Sequence, residues 1–236
     1  NQEEEVDPTT AAAAAAAQQA AADNMPFIQR AFEEGGITMY LILLVGLITV
    51  GLVVERLMTL KTLSIDKKDF TDNIFGMILR GDLRQAIAFC DSRQAPLTNV
   101  VKAGLVQTMN KRPDEEVQVA MDAQALKEGP RLEGWSSFLA VTGNVAVLAG
   151  LLGTIMGMIR SFRAVAAADP AEKALELSKG ISHALNCTAF GLIVAMISII
   201  AYGYFQLRIQ RAENDMTETS MSLLNLVAAN REKLKE

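Results

Sequence analysis

The chain has 236 residues, of which 50% are hydrophobic and 21% are charged, and its mean hydropathy is +0.22. Soluble domains of this length usually average below zero, so the composition predicts a membrane protein and excludes a disordered chain. The net charge of −5 argues against nucleic acid as a partner, and the two cysteines, which lie far apart, exclude a disulfide-rich small domain.

The first 36 residues are acidic, with seven Asp or Glu residues against one arginine. Because an alanine run at residues 11–17 makes this region low in complexity, we predict that residues 1–25 form a flexible exported tail. The sequence begins at Asn1 rather than at methionine, which suggests a removed export signal; a cloning artefact is the alternative. Residues 26–34 place aromatic and aliphatic side chains on one helical face, which predicts a short amphipathic helix in the membrane interface.

Three stretches contain no charged residue and are long enough to cross a membrane: residues 35–54, 134–159 and 180–207. A hydrocarbon core of about 30 Å needs roughly 20 apolar residues. A soluble helical bundle can hold one such run in its core, but hardly three, so we predict three transmembrane helices. We place these helices at residues 35–56, 134–160 and 181–207, with a short loop at residues 161–180 between the second and the third.

Residues 57–133 differ from the spans, because charged residues separate apolar ones that recur at helical spacing. Turn signals such as Gly81-Asp82 and Pro96 divide this segment, and three acids follow Pro113, where a helix dipole favours them. We therefore predict a helical domain here and a further helix over residues 208–236. No β pattern appears, so the predicted fold class is all-α.

Basic residues near the span ends are divided unequally between the two sides of the membrane. Eight lie on the side of residues 57–133 and the C-terminal helix, against five on the other side, and the acidic tail strengthens this bias. The positive-inside rule therefore predicts an exported N-terminus and a cytoplasmic C-terminus.

The second span carries a stripe of small residues, which fall within about 50° of one direction on a helical wheel. The members of this small-residue stripe are Gly143, Ala146, Gly150, Gly153, Thr154, Gly157 and Ser161. One interpretation is tight packing between helices, which small residues permit in membranes. The other is a narrow ion path or a seat for a partner helix, with Thr154 as the polar contact.

The third span begins with a polar group that comprises Ser182, His183, Asn186, Cys187 and Thr188. Polar residues within spans are costly and tend to face a bundle interior or water. His183 is the only histidine of the chain and the only side chain in or beside a span that titrates near neutrality. It is therefore a candidate for an ion path, and a hydrogen bond to a neighbouring helix is the alternative.

No span contains Asp, Glu, Lys or Arg, so an ion path formed by this chain would need a carboxylate from a partner. The sequence also lacks a nucleotide-binding loop, a cluster of metal ligands and a nucleophile–base pair. We therefore predict no catalytic residue, no metal site and no cofactor, and we expect that the protein is not an enzyme.

Two stretches, LAGLLGTIMGMIRSF at residues 148–162 and GISHALNCTAFGLIVAMISIIAYGYF at residues 180–205, resemble the ExbB/TolQ/MotA family of ion-driven motor subunits. The resemblance covers about residues 35–210. Upstream motifs in the same order support it, namely Glu55-Arg56, Gly81-Asp82, Cys90, Pro96-Leu97, Gly104-Leu105 and Pro130-Arg131-Leu132-Glu133.

The resemblance implies a protein of the bacterial inner membrane, with a periplasmic N-terminus and a cytoplasmic C-terminus, that forms a homopentameric ring in contact with membrane lipid. It further implies that the ring encloses a dimer of an ExbD/TolR-like single-span partner, whose intramembrane aspartate takes and releases the ion, normally H⁺. Pore threonines of the family match Thr154 and Thr188. His183 departs from the pattern, because the family typically has glutamate there, and Asn186 is more polar than usual.

These observations predict an ion-conducting stator subunit that converts ion motive force into work on a periplasmic partner. A TonB-like transducer, which would energise outer-membrane transport, is the first choice for that partner. The alternatives are a TolQ-like envelope or gliding-motility motor, a self-contained channel that uses His183, and a membrane scaffold whose stripe only packs helices.

Overall fold

The computed structural model describes residues 27–63 and 65–231, with only the backbone described for residues 27–37. These residues form seven helices and no strand, which confirms the all-α fold class. The helices are α1 (Phe27–Leu63), α2 (Lys67–Leu79), α3 (Leu83–Asp91), α4 (Pro96–Met109), α5 (Asp114–Glu133), α6 (Ser136–Ala167) and α7 (Lys173–Ala229). The predicted tail at residues 1–25 and the last five residues of the predicted C-terminal helix lie outside the described residues.

Three of the described helices, α1, α6 and α7, contain stretches long and apolar enough to cross a membrane, as the sequence predicts. Helix α7 has 57 residues and is therefore about 85 Å long. It joins the third span and the predicted C-terminal helix into one continuous element. The segment predicted as an interfacial helix likewise runs into the first span without a break from Phe27 onward, and its place in the interface stays a prediction.

The predicted loop at residues 161–180 is mostly helical, because α6 continues to Ala167 and α7 begins at Lys173. Only residues 168–172 separate the two helices. The Asp169 carbonyl accepts hydrogen bonds from the backbone N–H groups of Glu172, at 2.9 Å, and of Lys173, at 3.2 Å. This tight turn lets α7 start earlier than the hydropathy pattern indicates.

The described residues divide into two compact units, the first within residues 1–49 and 142–197. Its interior consists of small and aliphatic side chains, such as the cluster of Ile42, Ala149 and Cys187. Its surface is apolar, since Leu47 and Leu148 each expose 64% of their area. Such a surface is unfavourable in water but suits a hydrocarbon environment.

The second unit lies within residues 50–141 and 198–236 and has a conventional hydrophobic core. Phe70 from α2, Leu105 from α4 and Leu223 from α7 are fully buried in this core. Helix α2 begins after Asp66, whose side chain accepts a 3.0 Å hydrogen bond from the Lys68 N–H. The predicted helical domain and the C-terminal helix therefore share one core.

Cys90 lies in this core, with 3% of its surface exposed. Burial, together with the neighbouring Asp91 carboxylate, raises the pKa of its thiol to about 12. Because the thiolate is the reactive form, we expect maleimide at pH 8 to leave Cys90 unmodified in the folded protein and to modify it after unfolding in dodecyl sulfate. An unfolded thiol ionises near pH 8.5, so the folded state should also lose stability as the pH rises from there toward 12.

Mass spectrometry of a Cys187→Ala variant, in which Cys90 is the only cysteine, would measure this reaction. A labelling rate equal to that of a free thiol peptide would contradict the buried position of Cys90.

Candidate functional site

The small-residue stripe of the second span is buried in the first unit. Six of its seven members are buried, and the seventh, Thr154, is half-buried. The buried members are Gly143, Ala146, Gly150, Gly153, Gly157 and Ser161. All of them except Gly143 contact α7, and we call this contact the α6–α7 seam.

The α6–α7 seam brings the two backbones into direct contact. A Cβ atom on Gly150 would lie 3.2 Å from the carbonyl oxygen of Cys187 and 3.3 Å from the Cα of Thr188. In the other direction, a Cβ atom on Gly191 would lie 2.7 Å from the carbonyl oxygen of Ala146. Larger side chains at these positions would force the helices apart, so the stripe packs helices within one chain.

Helix α7 contributes its own row of small residues to this seam, which the sequence analysis missed. The row consists of Gly180, Ala184, Cys187 and Gly191, each of which contacts a member of the stripe on α6. Their spacing of four, three and four residues follows one face of a helix and would have revealed the row.

Thr38 on α1 is a polar residue of the site that the sequence alone did not indicate. It is 6% exposed, and its Oγ1 lies 3.7 Å from the Sγ of Cys187. Gly153 faces the same cysteine, since a Cβ atom there would lie 2.5 Å from the Cys187 Cβ. The next threonine of the first span, Thr49, is eleven residues away, and hydroxyls so far apart give no clear periodic pattern in the sequence.

The two threonines predicted for the ion path lie at the edge of the seam and are half-buried. The Thr154 hydroxyl donates a 2.6 Å hydrogen bond to the carbonyl of Leu151 on its own helix. Thr188 lies at longer range from two carbonyls, 3.4 Å from that of Gly150 and 3.5 Å from that of Ala184. A hydroxyl that donates to a backbone carbonyl keeps its lone pairs as acceptors, so both side chains retain the capacity to bind a protonated group.

His183 is buried, with 8% of its surface exposed, and it lies against the stripe. A Cβ atom on Gly157 would lie 2.9 Å from the His183 Cδ2. Ser161, at the end of the stripe, donates to the Leu177 carbonyl at 3.5 Å, whereas Asn186 is half-buried. The structure thus brings His183 next to the stripe, while the roles of these residues in an ion path stay predictions.

The site is uncharged, because the stretches at residues 35–54, 134–159 and 180–207 contain no Asp, Glu, Lys or Arg. Among the described residues, no group of three His, Cys, Asp or Glu side chains is placed to hold a metal ion. Hydroxyls, an imidazole, the Asn186 amide and backbone carbonyls are therefore among the polar groups that this chain offers to a proton or to a partner's carboxyl group.

A family model described as the MotA/TolQ/ExbB proton channel family matches residues 92–218, more than half of the chain. The putative biopolymer transport protein ExbB homolog of Methanothermobacter thermautotrophicus is 30% identical over 183 residues, which cover 75% of this chain and 62% of that protein. The Tol-Pal system protein TolQ of Pseudomonas aeruginosa is 38% identical over 94 residues, 40% of each chain. The biopolymer transport protein ExbB of Pseudomonas putida is 28% identical over 114 residues, 48% of this chain and 34% of that protein.

The chain spans less than two thirds of the length of each of these three relatives. The matched region nevertheless includes the α6–α7 seam and most of the second unit. The helical fold with three apolar spans agrees with the family match. The chain therefore belongs to the MotA/TolQ/ExbB proton channel family.

Proposed function

We propose that this protein is the proton-conducting stator subunit of an inner-membrane motor. In this proposal five copies form a ring with periplasmic N-termini and cytoplasmic C-termini. The ring encloses a dimer of an ExbD/TolR-like single-span partner that carries an intramembrane aspartate. The observation that carries the proposal is the position of Thr154 and Thr188, two half-buried hydroxyls at the edge of an uncharged seam.

The proposed mechanism depends on the absence of charge in the spans. An ionised carboxylate within a membrane is costly unless polar groups solvate it, whereas a protonated carboxyl group tolerates an apolar surface. In this proposal the hydroxyls of Thr154 and Thr188 turn their protons from the backbone carbonyls that they bond to the ionised aspartate, whereas their lone pairs can accept from the protonated one. Proton entry then frees the aspartate from these contacts, the partner turns inside the ring, and proton release on the cytoplasmic side restores them.

We further propose that the motor energises TonB-dependent outer-membrane transport. The ExbB homolog from Methanothermobacter matches 75% of this chain, whereas the Pseudomonas aeruginosa TolQ matches 40%. A Tol-type envelope motor is the second candidate, because the TolQ match has the higher identity. In the native host, deletion of the gene should abolish uptake of iron–siderophore complexes; a defect confined to detergent resistance would instead assign the protein to a Tol-type system.

Replacement of Thr154 and Thr188 by valine tests the proton path. Valine keeps the shape of threonine but lacks the hydroxyl, so we expect the fold and the complex to persist while proton flux falls at least tenfold. Proton flux is measured as the rate at which the internal pH changes in liposomes that contain the complex purified from the host. Native mass spectrometry of the same sample should show five copies with a single-span, aspartate-bearing protein.

Thr49→Val is the matched control, since Thr49 is a buried threonine of the first span whose hydroxyl bonds only the Val45 carbonyl of its own helix, at 2.9 Å. This variant should conduct normally. Full flux in the Thr154→Val, Thr188→Val protein would contradict the proposed path. If the isolated chain conducts protons without a partner, and His183→Ala abolishes that proton flux, a self-contained channel would be favoured.

A further inference from the structure

A cavity of about 470 Å³ lies in the second unit, next to the ends of the first and third spans. Part of its wall is apolar and includes Leu57 from α1 and Phe205 from α7. The cavity is large enough for a small ligand or a lipid headgroup.

The lining of this cavity carries more positive than negative charge. Four cations and one carboxylate line it, namely Lys61, Lys67, Arg208, Arg211 and Asp215. Asp215 pairs with Lys67, at an Oδ1–Nζ distance of 2.9 Å. The other three cations form no ion pair with any part of the chain that the structure describes. Glu218, which does not line the cavity, also pairs with Lys67, so the excess is two positive charges when it is included.

Two of these charges lie at the end of the third charge-free stretch. Arg208 directly follows the third charge-free stretch, and its guanidinium lies over the ring of Tyr204, with 5.8 Å from Cζ to the ring centroid. Tyrosine and arginine side by side are typical of a membrane–water interface. Arg208 and Arg211 are three residues apart on one helix, a rise of about 4.5 Å that fits within a headgroup layer of roughly 5–7 Å.

We propose that this cavity binds the headgroup of an anionic phospholipid from the leaflet on that side of the membrane. An arginine guanidinium binds phosphate through paired hydrogen bonds, and basic pockets at the ends of transmembrane helices suit anionic headgroups. The glycerol and the start of an acyl chain would lie against Leu57 and Phe205. The inference requires that the chain spans a membrane but is independent of the proposed proton path.

Native mass spectrometry of the full chain in mild detergent, with any partners that it retains, tests this inference. The probes are dioleoyl phosphatidylglycerol and, as the zwitterionic comparison, dioleoyl phosphatidylethanolamine. We expect the anionic lipid to bind at a concentration at least tenfold lower. A Lys61→Gln, Arg208→Gln, Arg211→Gln variant should lose this preference, since each basic residue near a headgroup contributes roughly fivefold in affinity.

A matched control removes three exposed cations of the same unit that do not line the cavity, through Arg80→Gln, Arg84→Gln and Lys127→Gln. It changes the net charge equally and should keep the preference. If the triple variant of the cavity does not fold, Lys61→Gln alone, at an exposed helix position, should still weaken binding about fivefold.

Three results would overturn the inference. The first is equal binding of the two lipids, or an equal loss of binding in the control variant. The second is displacement of phosphatidylglycerol by millimolar inorganic phosphate, which would indicate a site for free anions. The third is reaction of a photo-crosslinker at Leu60, another lining residue, with a second copy of the chain instead of with lipid.

Discussion

Replacing Gly191 by alanine should destabilise the protein, although alanine is the better helix former by about 1 kcal/mol. The new Cβ would lie 2.7 Å from the Ala146 carbonyl oxygen and 3.0 Å from the Gly150 Cα. Both atoms belong to the backbone, so the clash cannot be relieved by a change of rotamer, and α6 and α7 must move apart. Overpacking costs about 1–3 kcal/mol, and contacts with backbone atoms place Gly191 in the upper part of that range. After the gain in helix propensity the net loss should be about 1–2 kcal/mol, which corresponds to a melting temperature in detergent that is lower by roughly 2–8 °C.

Gly203→Ala on the same helix provides the matched control, because among the described residues no atom outside the local helix backbone and the two chain neighbours lies within 4 Å of a Cβ placed at Gly203. There, only the gain in helix propensity remains, so the melting temperature should stay the same or rise slightly. The two variants differ by the same single methyl group, yet their expected shifts have opposite signs. Equal melting temperatures for the two variants would show that the α6–α7 seam is looser than described.

The contrast between Gly191 and Gly203 also shows how much about helix packing the sequence alone could predict. The angular position of the stripe on α6 identified a face on which side chains must be small. The same pattern, however, is expected for a pore wall, a seat for a partner and a contact within the chain. Which of these three surfaces the stripe contacts depends on where α7 lies, and the position of α7 is a property of the tertiary packing.

Long-range polar contacts could not be predicted from the sequence either, because they also depend on the tertiary packing. The three spans and the helical domain could be predicted because hydropathy and helical periodicity are local properties. Arg56, by contrast, appeared only within the Glu55-Arg56 motif, and apart from the adjacent Glu55 its partners are 76 and 77 residues away along the chain. Nothing near Arg56 in the sequence indicates that this arginine is 3% exposed.

Arg56→Met should lower the free energy of unfolding by about 2–3 kcal/mol, because it removes charged hydrogen bonds at a buried position. The Arg56 guanidinium bonds the Glu55 carboxylate at 2.7 Å and the carbonyls of Leu132 and Glu133, where α5 ends, at 3.4 and 3.5 Å. Methionine fills similar space but leaves these acceptors without their donor. Because Glu55 is 44% exposed in its side chain and can be solvated, the loss should stay below that of a fully buried pair.

The glycine that follows α5 makes this prediction testable by a double-mutant cycle. Gly134 has a φ of +40°, and a Cβ atom there would lie 2.2 Å from the Arg56 Nη2. Gly134 has a ψ of −124°, outside the left-handed helical region, so Gly134→Ala should combine a backbone strain of about 1–3 kcal/mol with displacement of the guanidinium. In the Arg56→Met background the cost of Gly134→Ala should fall to the strain alone, since the guanidinium that it displaces is gone. Additive costs in urea titrations of the purified variants would mean that Arg56 does not hold the end of α5.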